Sequence, residues 1–139
     1  TKNKKIVFTN GVFDLLHIGH IKYLKNAANN GNCLIVGLNS DTSVKQLNKS
    51  EHRPIVNEIE RAEVLSCLYF VDYVIIFNEK TPEKLINDIQ PDIYIKGGDY
   101  KVESLPETNI VRAYGGQVIA GLFVEGKSST AIITKLNNT

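Results

Sequence analysis

The chain has 139 residues, 42% of them hydrophobic and 22% charged, and a formal net charge of +1. This is the length and composition of one ordinary globular domain, spanning residues 1–139. It excludes a disordered chain, which needs low hydrophobicity and high net charge, and a dedicated nucleic-acid binder, which carries a strong basic excess. No apolar run approaches the roughly 18 residues of a membrane helix. The start, TKNKKIVFTNG, is basic but lacks the apolar stretch and cleavage site of a signal peptide. The sequence contains no Met, so Thr1 is not read as a translated start, and the chain is expected to be trimmed, processed or cut from a longer protein. Cys33 and Cys67 lie in apolar contexts and form no CxxC pair. Both are expected to be buried, reduced thiols of a cytoplasmic protein, with no disulfide framework and no metal knuckle.

Short β-rich runs alternate with helical stretches. Lys5–Thr9 reads as a strand. His20–Asn30 reads as a helix with Ile21, Leu24 and Ala28 on one face and Gly31 as its stop. Cys33–Leu38 is a continuous apolar run, typical of a parallel strand buried on both faces. The polar segment Asp41–Asn57 reads as a long loop poised to close over a site. Glu58–Leu68 is helical, with Ile59, Ala62, Val64 and Leu65 as buried candidates. Tyr73–Phe77 is a third strand, followed by a helix opened by Thr81 as cap and Pro82 in the first turn. Asp92–Ile95 and Gln117–Leu122 are the fourth and fifth strands, and Ser128–Leu136 is a last short helix. Alternation of this kind implies an α/β fold, a Rossmann-like doubly wound parallel sheet of five strands. Ligands of such sheets bind beyond the carboxyl ends of the strands, where strand order reverses.

The informative residues fall just after strands. The first strand runs into Asn10-Gly11-Val12-Phe13-Asp14-Leu15-Leu16-His17-Ile18-Gly19-His20. Two of only three histidines stand three residues apart at a helix start. Imidazoles there lie beside unpaired backbone N–H groups and the positive end of the helix dipole, a ready phosphate site. Gly11 permits a tight turn, and Gly19 a close approach of ligand to backbone. Zinc is disfavoured, because no third ligand sits at a familiar spacing and His52 lies in a polar loop. Lys45, Lys49 and Arg53 could equally belong to a solvated loop, and Arg61 to a surface ion pair with Glu58 or Glu60. Gly97-Gly98-Asp99 could be a simple turn. Residues Gly121–Ser128, GLFVEGKS, match the P-loop pattern. Their context disagrees: Gly121 lies inside a predicted strand, and only eleven residues follow Ser128.

NGVFDLLHIGH resembles the signature of the nucleotidyltransferases that carry the H-x-G-H motif, and the short chain fits their small cytidylyltransferase-like branch. The likeness runs nearly end to end, through Asn39-Ser40-Asp41, Lys45, Arg53-Pro54, Arg61, Lys96-Gly97-Gly98-Asp99-Tyr100 and Glu125-Gly126-Lys127-Ser128-Ser129-Thr130. Within the branch, these segments are similar to those of heptose 1-phosphate adenylyltransferases. Glycerol-3-phosphate cytidylyltransferases carry an arginine where this chain has Phe123, which favours an adenylyltransferase and leaves the source of that positive charge open, with Lys127 a candidate.

The resemblance implies transfer of AMP from ATP to a sugar 1-phosphate, giving ADP-heptose and pyrophosphate for lipopolysaccharide or surface glycan. Glycerol-3-phosphate cytidylyl transfer is the alternative, followed by a P-loop-type kinase or a non-catalytic nucleotide-binding module. His17, His20 and Lys45 are then the catalytic residues. Gly11, Phe13, Gly19, Arg61, Gly97, Asp99, Lys127, Ser128, Ser129 and Thr130 are nucleotide contacts, and Asn10, Asp14 and Arg53 face the sugar. Mg²⁺ enters with ATP instead of on protein side chains. No nucleic acid or membrane partner is implied, and the family suggests a homodimer or larger homo-oligomer.

Overall fold

A computed structural model of the chain describes residues 4–47, 52–97 and 101–121. The elements run in the order β1 (Ile6–Gly11), α1 (Ile18–Ala28), β2 (Cys33–Asn39), α2 (Asp41–Gln46), α3 (Glu58–Ser66), β3 (Tyr73–Phe77), α4 (Glu83–Ile89), β4 (Ile93–Lys96), a 3₁₀ turn (Val102–Ser104), α5 (Pro106–Ala113) and β5 (Gln117–Ala120). All four strand pairs are parallel, in the order β3-β2-β1-β4-β5. The chain winds outward from β1 to β3, then returns to the other side of β1 for β4 and β5. Strand order therefore reverses between β1 and β4, and their carboxyl ends frame the crevice where such sheets bind ligands.

Two cores flank the sheet. Val7, Leu34, Val36, Leu38, Ile93 and Ile95 point to one face and pack on Tyr23, Leu24 and Ala27 of α1 and Leu65 of α3. Phe8, Ile35, Tyr94 and Val118 point to the other and pack on Ile86 of α4 and Val111 of α5. The alternation follows from the two-residue period of a strand. Every residue of β2 is buried, as its unbroken apolar run requires. The chain is thus an α/β, doubly wound, five-stranded parallel sheet, as its alternating pattern predicts.

Several local expectations are corrected. The segment read as a loop from Asp41 opens with α2, because Ser40 caps it by accepting a hydrogen bond from the Ser43 amide at 3.1 Å and Val44 is buried. On α3, Ile59 and Val64 are 65% and 47% exposed, whereas Arg61 and Leu65, one helical turn apart, face inward. Thr81 does not cap α4; Pro82 takes the cap position and no side chain bonds there. Helix α5 was not expected, since its residues PETNIVRA are mostly polar, but Thr108 and Val111 anchor it. Cys33 is buried as expected, but Cys67 is exposed just after α3. The helix expected over Ser128–Leu136 lies outside the described residues.

Candidate active site

The carboxyl end of β1 turns sharply. Phe13 takes φ +48°, a conformation that costs a non-glycine residue energy and concentrates at functional turns. This turn folds the Phe13 ring back over Gly11, where an added Cβ would approach ring carbon Cε2 to 2.8 Å. Gly11 is required by that close approach. The same ring meets His20 edge-on, with centroids 5.1 Å apart.

His17 and His20 then close the start of α1 by a reciprocal pair of bonds. The Gly19 amide donates to Nδ1 of His17 at 3.1 Å, and the His17 amide donates to Nδ1 of His20 at 3.3 Å. This is a capping box with imidazoles in place of hydroxyl and carboxylate. In a neutral imidazole, one nitrogen accepts and the other carries the proton. Acceptance at Nδ1 places the proton on Nε2 of both rings. The rings stack with centroids 3.8 Å apart. Burial lowers the pKa of His20 to about 4, and the neighbouring His17 adds to the shift. His20 is therefore neutral at pH 7 and a hydrogen-bond donor through Nε2. No acid occupies the first turn of α1 to offset the helix dipole. The two stacked imidazoles thus stand at the positive end of α1, a setting that favours an anion.

Three loops are locked together above the sheet. The Asp14 carboxylate accepts from Arg53 Nε at 2.8 Å and from the amides of Ile55 and Val56 at about 2.9 Å. The Arg61 guanidinium donates to the carbonyls of Val56, Val12 and Asn39, each at 2.8 Å, and to Asp41 at 2.6 Å. Arg61 is 2% exposed. Four of its five N–H groups are thus engaged by protein acceptors, and it ties the segment after β1 to the end of β2, to α2 and to the segment before α3. Asp14 and Arg53, expected to face the sugar, are turned toward each other in a buried pair. One bland reading is also corrected, since Arg61 is not a surface partner of Glu58 or Glu60.

The remaining expected residues are placed as follows. Asn10 accepts from the Tyr94 hydroxyl through Oδ1 at 2.6 Å. Gly19 is buried in the first turn of α1. Lys45 is exposed in the last turn of α2, which starts directly from the carboxyl end of β2. Gly97 follows β4, where a Cβ would come within 3.0 Å of the Tyr23 ring. Tyr23 itself bonds to the Thr9 hydroxyl and donates to the Ile95 carbonyl at 3.1 Å, so it joins α1 to β4. Burial raises its pKa well above that of free tyrosine. Asp99, Lys127, Ser128, Ser129 and Thr130 lie outside the described residues. The structure therefore brings Gly11, Phe13, Asp14, His17, Gly19, His20, Arg53 and Arg61 together after β1, while Asn10 is held by Tyr94 of the α4–α5 core. Sequence reasoning assigned no role to Tyr23 or Glu107. A polar group inside a helical apolar stripe was the one available signal for Tyr23; nothing marked Glu107.

A profile of the cytidylyltransferase-like family matches residues 8–135. Curated relatives called bifunctional protein HldE are similar over nearly the whole chain. The one from Geobacter metallireducens is 51% identical over 135 residues, 97% of this chain and 27% of its own length. The one from Campylobacter concisus is 53% identical over 135 residues, 97% of this chain and 28% of its own. The chain thus spans about a quarter of the length of these relatives. A crystal structure described as the lipopolysaccharide core biosynthesis protein from Thermoplasma volcanium superimposes with a TM-score of 0.74 at 28% identity, covering 88% of this chain and 99% of that one.

Proposed function

Because the chain belongs to the cytidylyltransferase-like family and is a nucleotidyltransferase, we propose that it transfers AMP from ATP to heptose 1-phosphate, releasing pyrophosphate. ATP is used as its Mg²⁺ complex, with the metal held mainly by triphosphate oxygens and water. Asp14 and Asp41 are each paired with an arginine. The product, ADP-heptose, suits lipopolysaccharide or surface-glycan synthesis, and we assign the reaction to the cytoplasm, where ATP is made.

The observation that carries this reading is the paired capping of His17 and His20 through Nδ1, which leaves both Nε2–H groups as donors at the positive end of α1. The acceptor phosphate is already ionised at pH 7, so no strong general base is needed. One of its oxygens attacks the α-phosphorus in line. The new P–O bond forms as the bond to the β-phosphate bridging oxygen breaks, and pyrophosphate leaves with the electron pair. His17 and His20 donate to the α-phosphate oxygens as charge accumulates there. Donors preorganised for developing charge supply transition-state stabilisation. Lys45, projecting from α2, bridges the attacking and α-phosphates. Ser128, Ser129 and Thr130, with Lys127, hold the β- and γ-phosphates. Gly97 and Asp99 face the ribose, and Asn10 faces the sugar. Asp14, Arg53 and Arg61 position the phosphate turn.

A pyrophosphate-release assay tests this, crossing ATP, CTP and GTP against heptose 1-phosphate and glycerol 3-phosphate. Turnover with ATP and heptose 1-phosphate is expected to exceed every other pair. Preference for CTP and glycerol 3-phosphate, or release of ADP in place of pyrophosphate, would overturn it.

A further inference from the structure

The histidines and the Arg61 assembly stand over the α1–α3 face of the sheet. The opposite face carries a second polar set at the same edge. Tyr94 and Lys96 are two residues apart on β4 and so project to one side. Tyr94 packs in the α4–α5 core, and its hydroxyl reaches Asn10. Lys96 is the last residue of β4 and so stands at the carboxyl edge. Helix α5 opens at that edge with Pro106, and Glu107 lies in its first turn, 5% exposed. Burial lowers the pKa of Lys96, and the field of Glu107 opposes this shift, so the two side chains share one environment.

Oε2 of Glu107 is buried, and no donor among the described residues reaches it. A buried acceptor without a donor costs roughly 1–3 kcal/mol, more when charged. A purely structural ion pair would place a donor there. The arrangement fits a ligand that brings its own donor. Phosphate does not qualify, because its charge has the same sign as the carboxylate. A hydroxyl does: it donates to the carboxylate and accepts from the ammonium at once. Two adjacent hydroxyls match the two oxygens of a carboxylate.

We propose that Glu107 and Lys96 form the hydroxyl-binding end of this site and take a vicinal diol of a substrate, on the face opposite the phosphate-binding histidines. The proposal rests on the nucleotidyl-transfer reading, which supplies two such diols: the ribose of the nucleotide and the ring of the acceptor sugar. Glu107 is then a specificity-determining residue, since a site built to bond a hydroxyl rejects analogues that lack it.

The test compares wild type with Glu107→Gln, measuring KM and kcat for ATP, 2′-deoxyATP, 3′-deoxyATP and heptose 1-phosphate alongside thermal melting. The variant is expected to raise the KM of one substrate about tenfold, equivalent to about 1.4 kcal/mol, with kcat changed far less. If the diol is the ribose, wild type discriminates against a deoxyATP and the variant does not. If it is the sugar, the KM for heptose 1-phosphate rises and the deoxyATP ratios stay equal in both proteins. KM values all within twofold, or a lower melting temperature alone, would show that Glu107 is only structural. Should Glu107→Gln fail to fold, Glu107→Asp keeps the charge, withdraws the oxygens by one methylene and is read in the same way. Absence of turnover in wild type would count against the transfer reading alone. Calorimetric titration of ATP, the deoxyATPs and heptose 1-phosphate into both proteins would then still report on Glu107, and unchanged affinities would overturn its role.

Discussion

Each imidazole has two nitrogens, and in both His17 and His20 the backbone takes Nδ1. Capping and phosphate donation are therefore not competing roles for these residues. Replacing either with Ala removes one preorganised donor, so kcat should fall about 10²–10³-fold. Steady-state kinetics on His17→Ala and His20→Ala checks this, and losses below tenfold in both would remove the histidines from the mechanism. The lowered pKa of His20 has a second consequence. An unfolded His20 binds a proton below about pH 6.5, whereas the folded one resists until about pH 4. The unfolded state thus gains protons first as pH falls. Stability from this group is intact above pH 6.5 and is lost progressively towards pH 4, by up to about 3 kcal/mol. Urea denaturation of wild type and His20→Gln between pH 7 and 4 should show a flatter profile for the variant.

At the scale of elements, α2 and α3 are tied to the phosphate turn by one side chain. Arg61 of α3 bonds Val12 beyond β1, Asn39 at the end of β2, Asp41 of α2 and Val56 before α3. Arg61→Ala would leave three carbonyls, two of them buried, and a carboxylate without their donor. Removing one partner of a buried charge network costs about 3–5 kcal/mol, so the urea midpoint should drop sharply; a near-wild-type midpoint would contradict this role. Helix α2, which carries Lys45, is thereby tied to this network through Asp41. The Val44 amide, bonded to the Ser40 carbonyl at 2.9 Å, should exchange slowly even without ligand. Lys45→Ala should lower kcat more than it raises the KM for ATP, because its contact tightens in the transition state. The sequence showed the apolar strands and α1 because burial there follows simple periods. It hid α2 and the inward face of α3, because those are organised by polar groups. A helix that buries Arg61 and exposes Ile59 inverts the hydrophobic pattern from which helices are read. Lys45 and the H-x-G-H pair were legible as residue types; the internal use of Asp14, Arg53 and Arg61 was not, since a pattern shows that a charge is present and not which partner it meets.

At the scale of the whole molecule, the doubly wound order sets the two halves of the crevice against one pillar. Tyr23 rises from α1, bonds Thr9 of β1 and donates to Ile95 of β4, holding the histidine helix to the strands on both sides of the reversal. Its ring fills the space beside Gly97 and Gly121, the residues that follow β4 and β5. An added Cβ at Gly121 would overlap the Tyr23 ring and come within 2.9 Å of Ile95. This gives the first glycine of the P-loop-like run GLFVEGKS a packing cause. The Gly121 amide is also committed, donating to the Lys96 carbonyl at 2.9 Å. Two origins of that glycine now make opposite predictions. If it serves packing, Gly121→Ala should overpack the site at a cost of about 1–3 kcal/mol, read as a lower urea midpoint. In a Tyr23→Ala background the added methyl has room, so the same substitution should cost much less, a coupling that a double-mutant cycle measures directly. ATP affinity of the folded Gly121→Ala protein should stay close to wild type. If the glycine instead served to bring backbone against phosphate, Gly121→Ala would weaken ATP binding while leaving stability nearly unchanged, and removing the Tyr23 ring would restore nothing.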